Sequence, residues 1–84
     1  MEKSAFTPEY RTLCTLLREL REAKGLTQEV VAERLDETQS YVSKCERGER
    51  RVDLVQLREF CRAIGVSLPE FVRDFEKRLA QAKR

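Results

Sequence analysis

Residues that cap helices divide this 84-residue chain into five short segments. Each opening carries a side-chain oxygen able to accept a hydrogen bond from the free N–H groups of a first helical turn: Thr7, Thr27, Thr38, Asp53 and Ser67. Glycine ends the first, third and fourth segments, and Asp36-Glu37 ends the second. Since helix-favouring Glu, Arg, Leu, Lys and Ala dominate the composition, we predict an all-α fold, a compact five-helix bundle.

Apolar residues recur three or four positions apart within each segment, and this spacing marks the face that turns toward a core. The first two segments give Tyr10, Leu13, Cys14, Leu17, Leu20, Val31, Ala32 and Leu35. The next two give Val42, Cys45, Leu54, Leu57, Phe60, Cys61 and Ile64. The last segment contributes four residues that either complete this core or form a two-fold interface between copies: Phe71, Val72, Phe75 and Leu79.

The three cysteines, Cys14, Cys45 and Cys61, are widely spaced, and the chain contains no histidine. This pattern supports neither a zinc site nor a disulfide framework. We therefore predict small core residues in a reducing compartment, with no metal and no cofactor. Redox sensing by a partly exposed thiolate is the alternative.

Catalysis and membrane insertion both lack a sequence signal. There is no histidine, no glycine-rich phosphate loop, and the one Ser-Lys pair, Ser43-Lys44, is adjacent in sequence and so points to different parts of one helix. No signal peptide or run of about 20 apolar residues occurs. We expect a cytoplasmic protein that is not an enzyme and has no membrane partner.

The outward side of the third segment carries side chains that can hydrogen-bond and none that is acidic: Gln39, Ser40, Ser43 and Lys44, with Tyr41 at the edge. Glutamine can bond the N6 and N7 edge of adenine, lysine can reach guanine, and serine suits several bases. Arg47, Arg50 and Arg51 follow, and they are either phosphate contacts or solubilising charge. Because the net charge is only +2, affinity for nucleic acid must come from such local placement.

Several motifs occur in register between about Leu13 and Leu68: Thr27-Gln28, the small Ala32, Ser40-x-x-Ser43-Lys44, Glu46-x-Gly48 and Leu57…Ile64-Gly65-Val66. With them the chain resembles the Xre/Cro-like (lambda repressor-like) helix-turn-helix family of phage and bacterial repressors. The chain departs from that pattern at Asp36, where the family usually has glycine, and at Cys45, where it usually has Ile or Leu. Aspartate visits the left-handed region more readily than most residues, so the turn can still form.

The resemblance implies that the third helix reads bases in the DNA major groove through Gln39, Ser40, Ser43 and Lys44. From its position at the edge of the same surface, we expect Tyr41 to join these base contacts. The resemblance also implies contacts to the DNA backbone from Gln28, which helps to orient the third helix, and from Arg21. We expect further backbone contacts from Thr27, Arg47, Arg50 and Arg51. Glu46 is expected to lie on the solvated surface or to brace an arginine or backbone groups near the following loop.

We predict three parts: a flexible tail over residues 1–7, a helix-turn-helix domain over 8–66, and a C-terminal helix over 67–84 that packs on the core or forms a dimer interface. We expect a double-stranded DNA-binding transcriptional regulator, a repressor or autoregulator that binds a palindromic operator as a homodimer. The alternatives are an antitoxin or adaptor with a protein partner, and a restriction-modification controller protein. No small-molecule ligand is expected, because little chain is left for an effector domain.

Overall fold

The structure, a computed structural model, describes residues 7–82. It contains five helices: α1 (Pro8–Ala23), α2 (Gln28–Leu35), α3 (Gln39–Glu46), α4 (Leu54–Ile64) and α5 (Leu68–Ala82). No strand occurs between residues 7 and 82, which confirms the all-α prediction. The predicted tail lies outside the described residues except for Thr7, as do residues 83 and 84 of the predicted C-terminal part.

The helices begin where the capping residues predicted. The hydroxyl oxygens of Thr7, Thr27 and Thr38 accept hydrogen bonds from N–H groups three residues later, at 3.1, 3.1 and 3.0 Å. Asp53 and Gln56 cap α4 reciprocally, each side chain accepting from the other's N–H, at 2.7 and 2.9 Å. Ser67 and Glu70 form the same arrangement at the start of α5, at 3.2 and 3.1 Å. These bonds satisfy helix N–H groups that would otherwise lack partners.

Asp36 ends α2 in the left-handed conformation, with φ 59° and ψ 43°. It is the only non-glycine residue with a positive φ between residues 7 and 82. The N–H of the next residue, Glu37, bonds the carbonyl of Ala32 at 2.9 Å and closes the turn. Aspartate thus takes the conformation that glycine usually supplies, and α3 can fold back across α2.

The core lies where all five helices meet. Its fully buried side chains are Leu16, Leu17, Val31, Val42, Cys45, Phe60, Cys61 and Phe71. Helix α2 packs on α3 and α4, while α1 packs on α3, α4 and α5. Because α5 contributes Phe71 and also packs on α4, it belongs to the same core as the other helices.

The predicted core differs from the structure at Leu54, Leu16 and Ala63, the last of which is 7% exposed although it was outside the predicted stripe. Leu54 was predicted to face inward, but it is 66% exposed because it is the first residue of α4, one turn before the buried Leu57. Leu16 was outside the predicted stripe, yet it is 0% exposed. Helix α1 contacts three other helices. It therefore buries a wider face than the single stripe of apolar residues spaced three or four positions apart.

The cysteines are free and buried, as predicted, with exposed fractions of 4% for Cys14 and 0% for Cys45 and Cys61. Burial raises the pKa of all three thiols, that of Cys61 to about 11. The thiols are therefore neutral at physiological pH, which disfavours the alternative of a reactive thiolate.

Among residues 7–82 no group of three or more His, Cys, Asp and Glu is arranged to hold a metal ion. Within the same residues no helix has the length and apolar character that a membrane span requires.

Truncating Leu16 and Leu54 tests the corrected core. Leu16→Ala removes a fully buried side chain and is expected to lower the free energy of unfolding by about 2–5 kcal/mol. Leu54→Ala, the matched control at an exposed position, is expected to change it by less than about 0.5 kcal/mol. Urea denaturation followed by circular dichroism measures both values, and equal losses would contradict the assignment of Leu54 to the surface.

Candidate DNA-binding interface

Two helices of eight residues each, α2 and α3, pack against one another across the turn at Asp36. Val42 and Cys45 point from α3 into the core and are 0% exposed. Gln39, Ser40 and Lys44 are exposed, and Ser43 is partly exposed. The hydrogen-bonding side chains predicted to read bases therefore share the outward side of α3.

A buried ion pair joins the end of α3 to α1. Arg21 donates from Nε to Glu46 Oε2 at 2.7 Å and from Nη2 to Glu46 Oε1 at 3.1 Å. The two side chains are 9% and 4% exposed. Arg21 Nη1 also donates to the carbonyl of Leu26 at 2.8 Å, so each of its guanidinium nitrogens has a partner. The hydrogen bonds to Glu46 raise the pKa of Arg21, so its guanidinium stays charged.

This pair continues as a chain of hydrogen bonds to the protein surface. Gln28 Nε2 donates to Glu46 Oε1 at 2.9 Å, and Gln39 Nε2 donates to Gln28 Oε1 at 2.6 Å. The first residue of α2 and the first residue of α3 are thus tied to the buried arginine of α1. Such a chain limits the orientations open to Gln39 before any partner binds.

The ion pair corrects the role predicted for Arg21 and decides between the two roles predicted for Glu46. Arg21 was expected to contact the DNA backbone, but the residue is only 8% exposed and its guanidinium is occupied within the protein. It cannot reach a phosphate without breaking a buried pair, so we assign it an orienting role. Glu46 braces that arginine, the second of the two roles expected for it.

A second ion pair lies on the surface after α3. Arg47 donates to Glu49 at 3.0 and 3.2 Å and to Ser43 Oγ at 2.9 Å. The bonds from Arg47 lower the pKa of Glu49, which stays ionised at neutral pH. Arg47 and Glu49 are 55% and 51% exposed, and exposed pairs of this kind are weak. A phosphate group can therefore compete with Glu49 for Arg47.

Arg50 and Arg51 each lie over a tyrosine ring. The guanidinium carbon of Arg50 is 5.1 Å from the centre of the Tyr41 ring, and that of Arg51 is 4.4 Å from the Tyr10 ring. Cations are attracted to aromatic faces at these distances. Both arginines are exposed, and the tyrosines support them from the protein side.

Tyr41 was expected at the edge of the base-reading surface, and the structure shows it partly buried between α3 and α4. Its ring stacks on Phe60 with centres 6.2 Å apart, and its hydroxyl accepts a hydrogen bond from Gln56 at 3.3 Å. Burial raises its pKa to about 12, so it remains a neutral phenol. These contacts make Tyr41 a support for Arg50 in the free protein.

Sequence reasoning missed the parts played by Tyr10 and Glu49. Tyr10 was counted only as a core residue, although a tyrosine in a buried stripe needs a partner for its hydroxyl. Glu49 was given no role. Its position two residues after Arg47, across Gly48, was the available signal for a local ion pair.

The fold and this surface define a helix-turn-helix DNA-binding protein. Residues 12–73 match the family model described as a helix-turn-helix domain. The structure is similar to that of an Xre-family-like protein from Pseudomonas syringae pv. tomato, with a TM-score of 0.78, 42% identity and coverage of 82% of this chain and 84% of that one. The chain therefore belongs to the Xre family of helix-turn-helix transcriptional regulators, which are not enzymes.

Two sequence relatives agree with this assignment. The chain is 47% identical over 53 residues to an uncharacterised HTH-type transcriptional regulator, y4dJ, of Sinorhizobium fredii, a match that covers 63% of this chain and 69% of the relative. It is 39% identical over 62 residues to the control protein C.MunI of a Mycoplasma species, covering 73% of this chain and 84% of that protein.

Removing one member of the buried pair tests its structural role. Glu46→Ala leaves the Arg21 charge buried without its partner, and it is expected to lower the free energy of unfolding by about 3–5 kcal/mol. The double variant Arg21→Met with Glu46→Leu removes both charges and is expected to recover most of that loss. Thermal and urea denaturation measure the difference. A Glu46→Ala protein as stable as the wild type would contradict the assignment.

Proposed function

We propose that this Xre-family regulator acts as a homodimer that occupies a palindromic operator in promoter DNA and works there as a repressor or as an autoregulator of its own gene. The observation that carries the proposal is the outward side of α3, held to the protein body through Gln39, Gln28 and the Arg21–Glu46 pair. A polar surface fixed in this way suits the rigid edges of base pairs, because little orientational freedom remains to be lost on binding.

The proposed base contacts come from α3 in the major groove. Gln39 would bond an adenine edge, Lys44 a guanine edge, and Ser40 and Ser43 several bases. Tyr41 lies beside them and would contact DNA only at the edge of this surface. Ser43 would exchange its bond with Arg47 for a bond to DNA.

The proposed phosphate contacts surround α3. They are Thr27 and Gln28 at the start of α2 and Arg47, Arg50 and Arg51 after α3. Arg47 would leave Glu49 for a phosphate, and Arg50 and Arg51 would reach phosphates from their tyrosine supports. Contacts of this kind fix the register of the protein on the duplex and make affinity depend on salt.

A dimer is proposed because one short helix reads only about four or five base pairs, whereas two half-sites a helical turn apart give usable specificity. On α5, Val72 is 41% exposed, and Phe75 and Leu79 are partly exposed. Phe71 was also expected at this interface, but it is 1% exposed inside the core and is not part of the proposal. Val72, Phe75 and Leu79 are the proposed contacts.

The proposed role places the protein in the cytoplasm with double-stranded DNA as its partner. It requires no cofactor and no catalytic step. Gln39 and Ser43 on the proposed DNA surface are hydrogen-bonded to neighbouring side chains, and Arg50 stacks on a ring, an arrangement that suits reversible binding.

A restriction-modification controller protein is the second candidate. The similarity to C.MunI, which covers 84% of that control protein, favours it. This role would use the same DNA surface and could activate as well as repress. Genes for a restriction endonuclease and a methyltransferase beside the gene for this protein would favour the controller role. Their absence would favour the role of a general transcriptional regulator.

Selection from a pool of randomised duplexes tests the proposed function. We expect a palindromic consensus with half-sites about one helical turn apart, and affinity that falls steeply with salt. Absence of enrichment, with weak binding lost at moderate salt, would contradict operator binding and favour a protein partner instead.

Two alanine variants separate base reading from phosphate binding. Gln39→Ala is expected to cost about 1–3 kcal/mol on the selected site and to relax preference at one position, because it removes a bidentate base contact. Arg50→Ala is expected to weaken binding equally on all sequences and to lower the slope of log K against log salt by about 1. Fluorescence anisotropy with cognate and scrambled duplexes measures both. Equal losses for Gln39→Ala on every sequence would assign Gln39 to the DNA backbone.

A further inference from the structure

Tyr10 of α1 connects the body of the protein to the loop between α3 and α4. Its hydroxyl accepts a hydrogen bond from the N–H of Val52 at 2.9 Å and donates one to the carbonyl of Arg50 at 3.5 Å. The residues joined are 40 and 42 positions apart in the chain. Tyr10 is only 9% exposed, so these bonds form at the boundary between the core and the surface loop.

The same tyrosine supports the side chain of the residue between these two bonds. The Arg51 guanidinium lies 4.4 Å from the centre of its ring. One aromatic residue therefore holds the backbone on both sides of Arg51 and also contacts the charged group of Arg51. Burial raises the pKa of Tyr10, so its hydroxyl stays protonated at neutral pH and can donate and accept at once.

The rest of the loop has a different support. The N–H groups of Glu49 and Arg50 bond the carbonyl of Lys44 at 2.9 and 3.2 Å, so the first half of the loop is held by α3. The second half is held by α1 through Tyr10. The position of Arg51 relative to α3 thus depends on a contact that α3 does not make.

We infer that Tyr10 is a positioning residue of the DNA interface, which holds residues 50–52 and orients Arg51 toward the phosphate backbone. The inference rests on the proposed function. An arginine side chain loses rotamer freedom when it binds a phosphate, and an arginine already held against a ring loses less. Since phosphates carry no sequence information, Tyr10 sets affinity and salt dependence, and it leaves the preferred sequence unchanged.

Binding of the selected duplex at several salt concentrations tests this inference. The variants are Arg51→Ala, Tyr10→Leu, Tyr10→Phe and the double variant of Arg51→Ala with Tyr10→Leu. Arg51→Ala is expected to lower the salt slope by about 1. Tyr10→Leu, which removes both ring and hydroxyl, is expected to lower the slope in the same way, and Arg51→Ala should add little to it. Tyr10→Phe keeps the ring but removes the hydroxyl that holds the loop backbone. Its affinity for DNA should lie between that of the wild type and that of Tyr10→Leu.

Leu20→Ala is the matched control for a purely structural effect. Leu20 is a partly buried residue of α1 that lines the groove beside α5, away from the loop. This variant should lose thermal stability and keep the wild-type salt slope. Tyr10→Phe retains the packing of the ring, so it carries the test if Tyr10→Leu fails to fold.

The outcomes separate the inference from the proposed function. Wild-type protein that shows no salt-dependent binding to duplex DNA overturns both. Wild-type protein that binds steeply, with Tyr10 variants of unchanged affinity and slope, overturns the inference alone. The inference is also overturned if the Tyr10 variants lose DNA affinity only in proportion to their loss of thermal stability, as Leu20→Ala does, and keep the wild-type salt slope.

Discussion

The buried pair of Arg21 and Glu46 is the interaction on which the proposed DNA surface depends. Removing two charges from water is expensive, and the cost is offset only when geometry and additional hydrogen bonds are good. Here Glu46 receives two bonds from Arg21 and one from Gln28, and Arg21 also bonds the carbonyl of Leu26. A shift of α3 along α1 would leave a charge unpaired in the interior. The pair therefore fixes the register of α3 on the body, and packing of apolar side chains alone would define that register less sharply.

The surface built on this pair combines fixed and exchangeable contacts. Gln39 is held through Gln28, while Arg50 and Arg51 rest on tyrosine rings. Arg47, by contrast, is engaged by the exposed Glu49, which a phosphate can replace. The net charge of +2 is thus compatible with DNA binding because basic groups are concentrated and oriented beside α3.

Local features could be predicted from the sequence, and contacts between distant residues could not. The capping threonines, the two capping boxes and the left-handed Asp36 depend on residues within a few positions of one another. The burial of Leu16 and the exposure of Leu54 depend on how many helices surround each position. For the same reason the partners of Arg21, which lie 5 and 25 residues away, and the bond from Tyr10 to Val52 had no signal in local spacing. The outward side of α3 was predictable because helical periodicity alone sorts its residues into buried and exposed.

Chemical-shift mapping of the amide resonances during titration with the selected duplex tests most directly whether this surface binds DNA. We expect the perturbed amides to cluster at the start of α2, along Gln39 to Lys44 and over residues 47–52. Amides that line the groove between α1 and α5, such as those of Lys24 and Asp74, should move little. Perturbations centred on that groove, with the amides of α3 unchanged, would contradict DNA binding through α3.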